Sequence, residues 1–159
     1  MTRNKINIAI DAAKEEDYLR ALTIFTEVYT DEKSPAVSST LQATGLSWFG
    51  LCLALVQKKY SLALELCRKA IDLQFYNGDH YANLVRVYLA AGNRRKALEV
   101  AETGLKMHEG HEDILAARKA IGVRAKPAVP FLDRTNPINV TLGMKRHAKK
   151  VESEEKKKK

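Results

Sequence analysis

The sequence predicts an all-α fold, and three observations carry that prediction. Apolar residues recur at helical spacing along most of the chain, short polar turns interrupt them, and one pattern repeats. "NRRKALEVAETGL" (93–105), "KYSLALELCRKAI" (59–71) and "DYLRALTIFTEVY" (17–29) align with Ala-Leu at the same place. Ala97, Ala63 and Ala21 are followed at the fourth and seventh residue by Ala101 and Gly104, Cys67 and Ala70, and Phe25 and Val28. Positions i, i+4 and i+7 lie on one helical face, and small or compact side chains there let a neighbouring helix come close.

A second helical pattern precedes each stripe. In the third copy it is Tyr81, Leu84, Val85 and Tyr88, and in the second it is Leu46, Phe49, Gly50 and Leu53. The first copy, near Ile8, Ala9 and Ala12, is less distinct. Gly92-Asn93, Gln57-Lys58-Lys59 and Glu15-Glu16-Asp17 separate the two patterns, as short polar turns separate antiparallel helix neighbours. The middle turn reads as one residue longer than the others. The connection between the first two copies is also longer, by part of "DEKSPAVSST".

Ala63 and Ala97 are 34 residues apart. That period, with Tyr81, Leu84, Tyr88, Gly92 and Ala97 in order, resembles the tetratricopeptide (TPR) repeat. The resemblance covers about residues 4–108. Trp48 sits one residue before the expected leucine position, and Phe75 and Glu109 stand near the places of the family's proline. The resemblance implies a right-handed superhelical solenoid of three TPR-like helix pairs, capped by a seventh helix in "HEDILAARKAIG" (111–122) and followed by an extended basic tail. An ordinary helical bundle with coincidental Ala-Leu pairs is the rival reading.

Composition sets the outer limits. The chain has 159 residues, 45% of them hydrophobic and 29% charged, in the ordinary soluble range. No apolar run is expected to reach the roughly 20 residues that cross a bilayer, and the N-terminus lacks the apolar core of a secretory signal, so the expected compartment is the cytoplasm. Cys52 and Cys67 lie within apolar helical patterns and read as reduced packing residues. The net charge of +8 is unevenly placed. Residues 1–122 hold 16 Lys/Arg against 15 Asp/Glu, and residues 123–159 hold 11 against 4. A nearly neutral core gives phosphate little to grip.

The expected organisation is a repeat domain over 1–122, a proline-bearing arm over 123–144 and a disordered basic tail over 145–159. Pro127 and Pro130 favour extended backbone, and Asn136-Pro137 reads as a turn before Ile138, Val140 and Leu142. The arm's apolar residues from Val129 to Met144 are expected to dock on the repeats, with capture by a partner as the alternative. The terminal lysines read as a solvated tail, with weak attraction to nucleic acid or an acidic surface as the alternative.

No catalytic constellation is legible, and no cofactor or small-molecule substrate is expected. His108 and His111 in "HEGHED" read as exposed turn histidines and Asn139-Val140-Thr141 as a chance glycosylation match. The resemblance implies a non-enzymatic adaptor whose concave groove, lined by the first helix of each pair, binds a peptide or helix of another protein. Expected contact residues are Arg3, Ile6 and Ile10, then Ser47 and Leu51, then Asp79, Asn83 and Arg86. Family members that grip chaperone carboxyl termini place Lys, Asn and Arg in a clamp. The matching positions here are Ile6, Ile10, Trp48, Asp79 and Asn83, which do not reproduce it, so the implied ligand is a different peptide. The alternative function is a nucleic-acid-associated accessory protein that contacts phosphate through the lysine tail.

Overall fold

A computed structural model describes residues 2–30 and 38–122, together with 136–138, 140–142, 144 and 145. The chain divides into two compact units, Met1–Gly122 and Val123–Lys159. In the first unit the described residues form α1 (Thr2–Lys14), α2 (Tyr18–Thr30), α3 (Ser39–Cys52), α4 (Tyr60–Leu73), α5 (Gly78–Ala90), α6 (Arg94–Met107) and α7 (Glu112–Ile121). A π-helical turn, Leu53–Gln57, ends α3. No strand occurs among the described residues.

Packing follows the repeat. Within each pair the two helices touch, α1 with α2, α3 with α4 and α5 with α6. First helices also touch in sequence, α1 with α3, α3 with α5 and α5 with α7, while each second helix meets the first helix of the next pair. That connectivity makes a helical-hairpin solenoid, with α7 as a cap on α5 and α6.

The small-residue stripes form the pair interfaces. Ala21, Phe25, Ala63, Cys67, Ala70, Ala97 and Ala101 have no exposed surface, and Val28 and Gly104 are buried with them. Gly50 shows why small residues are needed. A Cβ there would lie 2.8 Å from both the Ala63 carbonyl oxygen and Cys67 Sγ, so α3 and α4 could not approach as they do. Across the first two pairs, Phe49 stacks against Tyr29 at 5.4 Å and tilts against Phe25 at 5.7 Å. In α1 the buried set is Ile6, Ala9, Ile10, Ala12 and Ala13, whereas Ile8 points outward.

The three intra-pair turns share one geometry. Glu16, Lys58 and Gly92 all have positive φ, at 64°, 56° and 74°, and each stands five residues before its buried alanine. The turns are therefore equal in length. The extra residue expected in the middle one is absorbed inside helical backbone, as the π turn Leu53–Gln57, from which Lys59 N–H reaches back to the Leu53 carbonyl at 3.3 Å. Asp17 and Asn93 then cap α2 and α6, accepting from Arg20 N–H and Lys96 N–H, while Lys59 supplies no side-chain cap to α4.

Two expectations change here. Ser39–Gln57, 19 residues, is long and apolar enough by composition to cross a membrane. It is instead a core helix of the solenoid, with Ser47, Leu51 and Cys52 fully buried. Asn136-Pro137 opens helical backbone rather than a reverse turn, because Asn136 Oδ1 accepts from Ile138 N–H at 3.0 Å and its carbonyl from Val140 N–H at 3.0 Å. Residues 31–37, which lengthen the first connection, lie outside the described residues. So do 123–135, the first part of the expected arm, and 146–159, all but Lys145 of the expected tail.

Candidate functional site

The first helices carry the candidate surface. Along α1, residues Arg3, Asn7, Ile10, Asp11 and Lys14 follow one another at helical spacing and line a cleft of about 500 Å³ with Ser38, Thr40, Leu41 and Thr44 from the start of α3. A second cleft, about 310 Å³, is lined by Ala13, Lys14, Glu16, Tyr18, Trp48, Asp79, Arg86 and Asp113. Lys14 borders both, so the two clefts adjoin at the C-terminal end of α1.

Four of the eight expected contact residues line the clefts. Arg3 and Ile10 meet in the larger cleft, with Ile10 as its nearly buried floor. Asp79 and Arg86 meet in the smaller one. Seven residues separate them, two turns on one face of α5. Asn83, between them in sequence, faces elsewhere.

Ile6, Ser47, Leu51 and Asn83 belong to the core rather than to the groove. Each is at most 2% exposed, which leaves no surface for a partner. The reason is the side-by-side packing of first helices: Asn83 Nδ2 donates to Ser47 Oγ at 3.1 Å, joining α5 to α3 beneath the cleft. Cys67 Sγ also points at the Ser47 carbonyl, at 3.5 Å. Buried polar groups that satisfy one another lock the relative position of the helices, and that is their role here.

Charge in the smaller cleft is mixed. Asp79 Oδ1 lies 3.2 Å from His111 Nε2, and its backbone N–H donates to Asn77 Oδ1, so this carboxylate is fixed at the start of α5. Among the described residues, Lys14, Glu16, Arg86 and Asp113 make no ion pair. Burial raises the Tyr18 hydroxyl above its usual range, with nearby Arg86 acting in the opposite direction. Trp48 walls the cleft with its ring while its indole N–H is buried without a partner.

The paired histidines are half-buried rather than exposed. His108 packs on Tyr81 at 6.1 Å and meets His111 edge-on at 6.3 Å. No group of three His, Cys, Asp or Glu side chains able to hold a metal ion lies together among the described residues. Cys52 and Cys67 are buried, and desolvation pushes both thiols up to about 12, which keeps them protonated.

Sequence reasoning missed Asn7, Asp11, Lys14, Tyr18 and Asp113. The α1 residues carried a signal, since Arg3, Asn7, Ile10 and Lys14 share the i, i+4, i+7, i+11 spacing of one stripe. Tyr18 and Asp113 come from the starts of α2 and α7 and join the cleft only through tertiary packing.

Comparison with solved structures settles the fold. The second TPR domain of human RPAP3, solved in complex with the HSP70 peptide SGPTIEEVD, aligns over 74% of this chain and 91% of that one, with 20% identity and a TM-score of 0.54. The Hsp90 co-chaperone Cns1 from Saccharomyces cerevisiae aligns over 98% of this chain at 15% identity and a TM-score of 0.62. This chain spans 45% of that Cns1 structure. The fold is TPR-like. No family model matches the sequence, and no curated protein does.

Proposed function

We propose that the chain is a protein-binding adaptor whose two neighbouring clefts accept an extended or helical segment of a partner, without chemistry of its own. The observation that carries this reading is the run of cleft side chains Lys14, Glu16, Arg86 and Asp113, ionised groups that satisfy no partner within the described residues. Charged groups gathered in a cleft and unpaired among the described residues suit recognition of complementary groups on a ligand. The TPR-like fold supports the same reading, since the RPAP3 domain is seen with a peptide.

The ligand differs from a chaperone's acidic carboxyl terminus. At the clamp positions Ile6 and Asn83 are buried, and Asp79 puts an acidic side chain where an acidic terminus needs a cation. The mixture of Lys14 and Arg86 with Glu16 and Asp113 favours a segment carrying both signs of charge. The test is affinity capture from native extract with wild-type chain and with Lys14→Ala/Arg86→Ala. The reading expects specific partners to be lost at unchanged thermal stability. Equal recovery of the same partners by both forms would rule the clefts out.

A further inference from the structure

The two adjoining clefts differ in the balance of their charges, and that difference bears on the partner's sequence. The larger cleft is lined by Arg3 and Lys14 against a single acid, Asp11. Beyond Lys14, which both clefts share, the smaller one sets Arg86 against Glu16, Asp79 and Asp113. Among the described residues none of these cations makes an ion pair, and of the acids only Asp79 does, with His111. The lining therefore passes from cationic at Arg3, in the first turn of α1, to acidic at Asp113, in the first turn of α7.

Apolar surface accompanies the charges. Ile10 floors the larger cleft and half-buried Leu41 borders it. Asp79 and Asp113 each occupy the first turn of a helix, where an acid is favoured whatever binds. The tryptophan beside them is what points to a ligand group. Trp48 walls the smaller cleft together with Glu16, Asp79 and Asp113, and an aromatic wall beside carboxylates suits a planar guanidinium. The ring face attracts the cation, and the carboxylates accept its N–H groups. Arg3 and Lys14 mark the length of the larger cleft along α1, about 16 Å at 1.5 Å per residue. An extended chain covers that distance with about five residues.

We propose, resting on the adaptor reading above, that the clefts select a dipolar segment of a partner protein: an acidic side chain opposite Arg3, an aliphatic one over Ile10 and Leu41, and an arginine against Trp48 where Glu16 and Asp113 also line the cleft. At least about five residues separate the acid from the arginine. A uniformly acidic segment meets three carboxylates in the smaller cleft, and a uniformly basic one meets Arg3 and Lys14 in the larger. The surface reads the order of charges rather than their sum. The same complementarity fixes the direction in which the segment lies across the first helices.

Selection from a displayed library of random peptides, each long enough to span both clefts, tests this on the full chain. Peptides that bind wild type but not Lys14→Ala/Arg86→Ala are expected to carry an acid and an arginine about five or more residues apart. The Arg3→Glu chain should select peptides in which a lysine or arginine replaces that acid while the distant arginine is kept. Synthetic peptides from the wild-type selection should bind Arg3→Glu about three- to tenfold more weakly, and their binding to wild type should shift the emission of Trp48, the chain's single tryptophan. Arg3 is exposed, so the thermal midpoint should stay the same. Cleft-dependent peptides of one sign, or with the two signs interleaved, overturn the charge order and leave the adaptor reading standing. Equal selection by Lys14→Ala/Arg86→Ala, or no selected peptide at all, overturns both.

Discussion

Ala97 opens the buried stripe of α6 and has no exposed surface, so a charged replacement has nowhere to go. Ala97→Asp would place an unpaired carboxylate between α5 and α6. The cost is several kcal/mol, a large part of what a domain this size possesses. Thermal melting should show the variant largely unfolded at 37 °C, and a midpoint equal to wild type would remove Ala97 from the interface. His80 gives a second residue-scale prediction. It is fully buried, with Nε2 3.2 Å from Gln74 Oε1, and desolvation lowers its pKa from 6.5 to about 4. The unfolded chain therefore takes up this proton first as pH falls. Stability associated with neutral His80 is complete above about pH 6.5 and is lost between 6.5 and about 4. Over that interval His80→Gln should lose less stability than wild type does. Parallel pH profiles would contradict the assignment.

At the scale of the element, the three turns offer a transplant. The third pair uses Gly92-Asn93, which combines a residue free to adopt positive φ with a side-chain cap. The second pair forces Lys58 to a φ of 56° and follows it with Lys59, which caps nothing. Lys58→Gly/Lys59→Asn should therefore stabilise the domain by about 1–2 kcal/mol, the sum of relieved left-handed strain and a new cap, less the entropy of glycine. Denaturant melts measure this directly, and a lower midpoint would mean that Lys58 gains something the turn geometry does not reveal. The stripes Ala21-Phe25-Val28, Ala63-Cys67-Ala70 and Ala97-Ala101-Gly104 were legible in the sequence because helical periodicity alone places them on one face. The π turn was not. One surplus residue can sit in a loop or inside a helix, and only the packing of Leu53 and Ala54 into the core selects the second. The contact residues were half legible for a related reason. Asp79, Asn83 and Arg86 share one spacing, but the rotation of α5 against α3 turns Asn83 onto Ser47 and leaves its neighbours at the cleft.

For the whole molecule, the repeats supply a nearly neutral solenoid and the basic residues gather after Gly122. Cleft binding, which rests on a few mixed charges and on shape, should weaken little as salt is raised. The central claim is that the first-helix face is the working surface, and site-specific photo-crosslinking in native extract tests it most directly. A photoreactive residue at Arg86, which borders the smaller cleft, is compared with one at Glu65, exposed on α4. The account predicts a discrete protein adduct from position 86 that is absent from position 65 and disappears with Lys14→Ala. Equal adducts from both positions, or adducts from 65 alone, would contradict it.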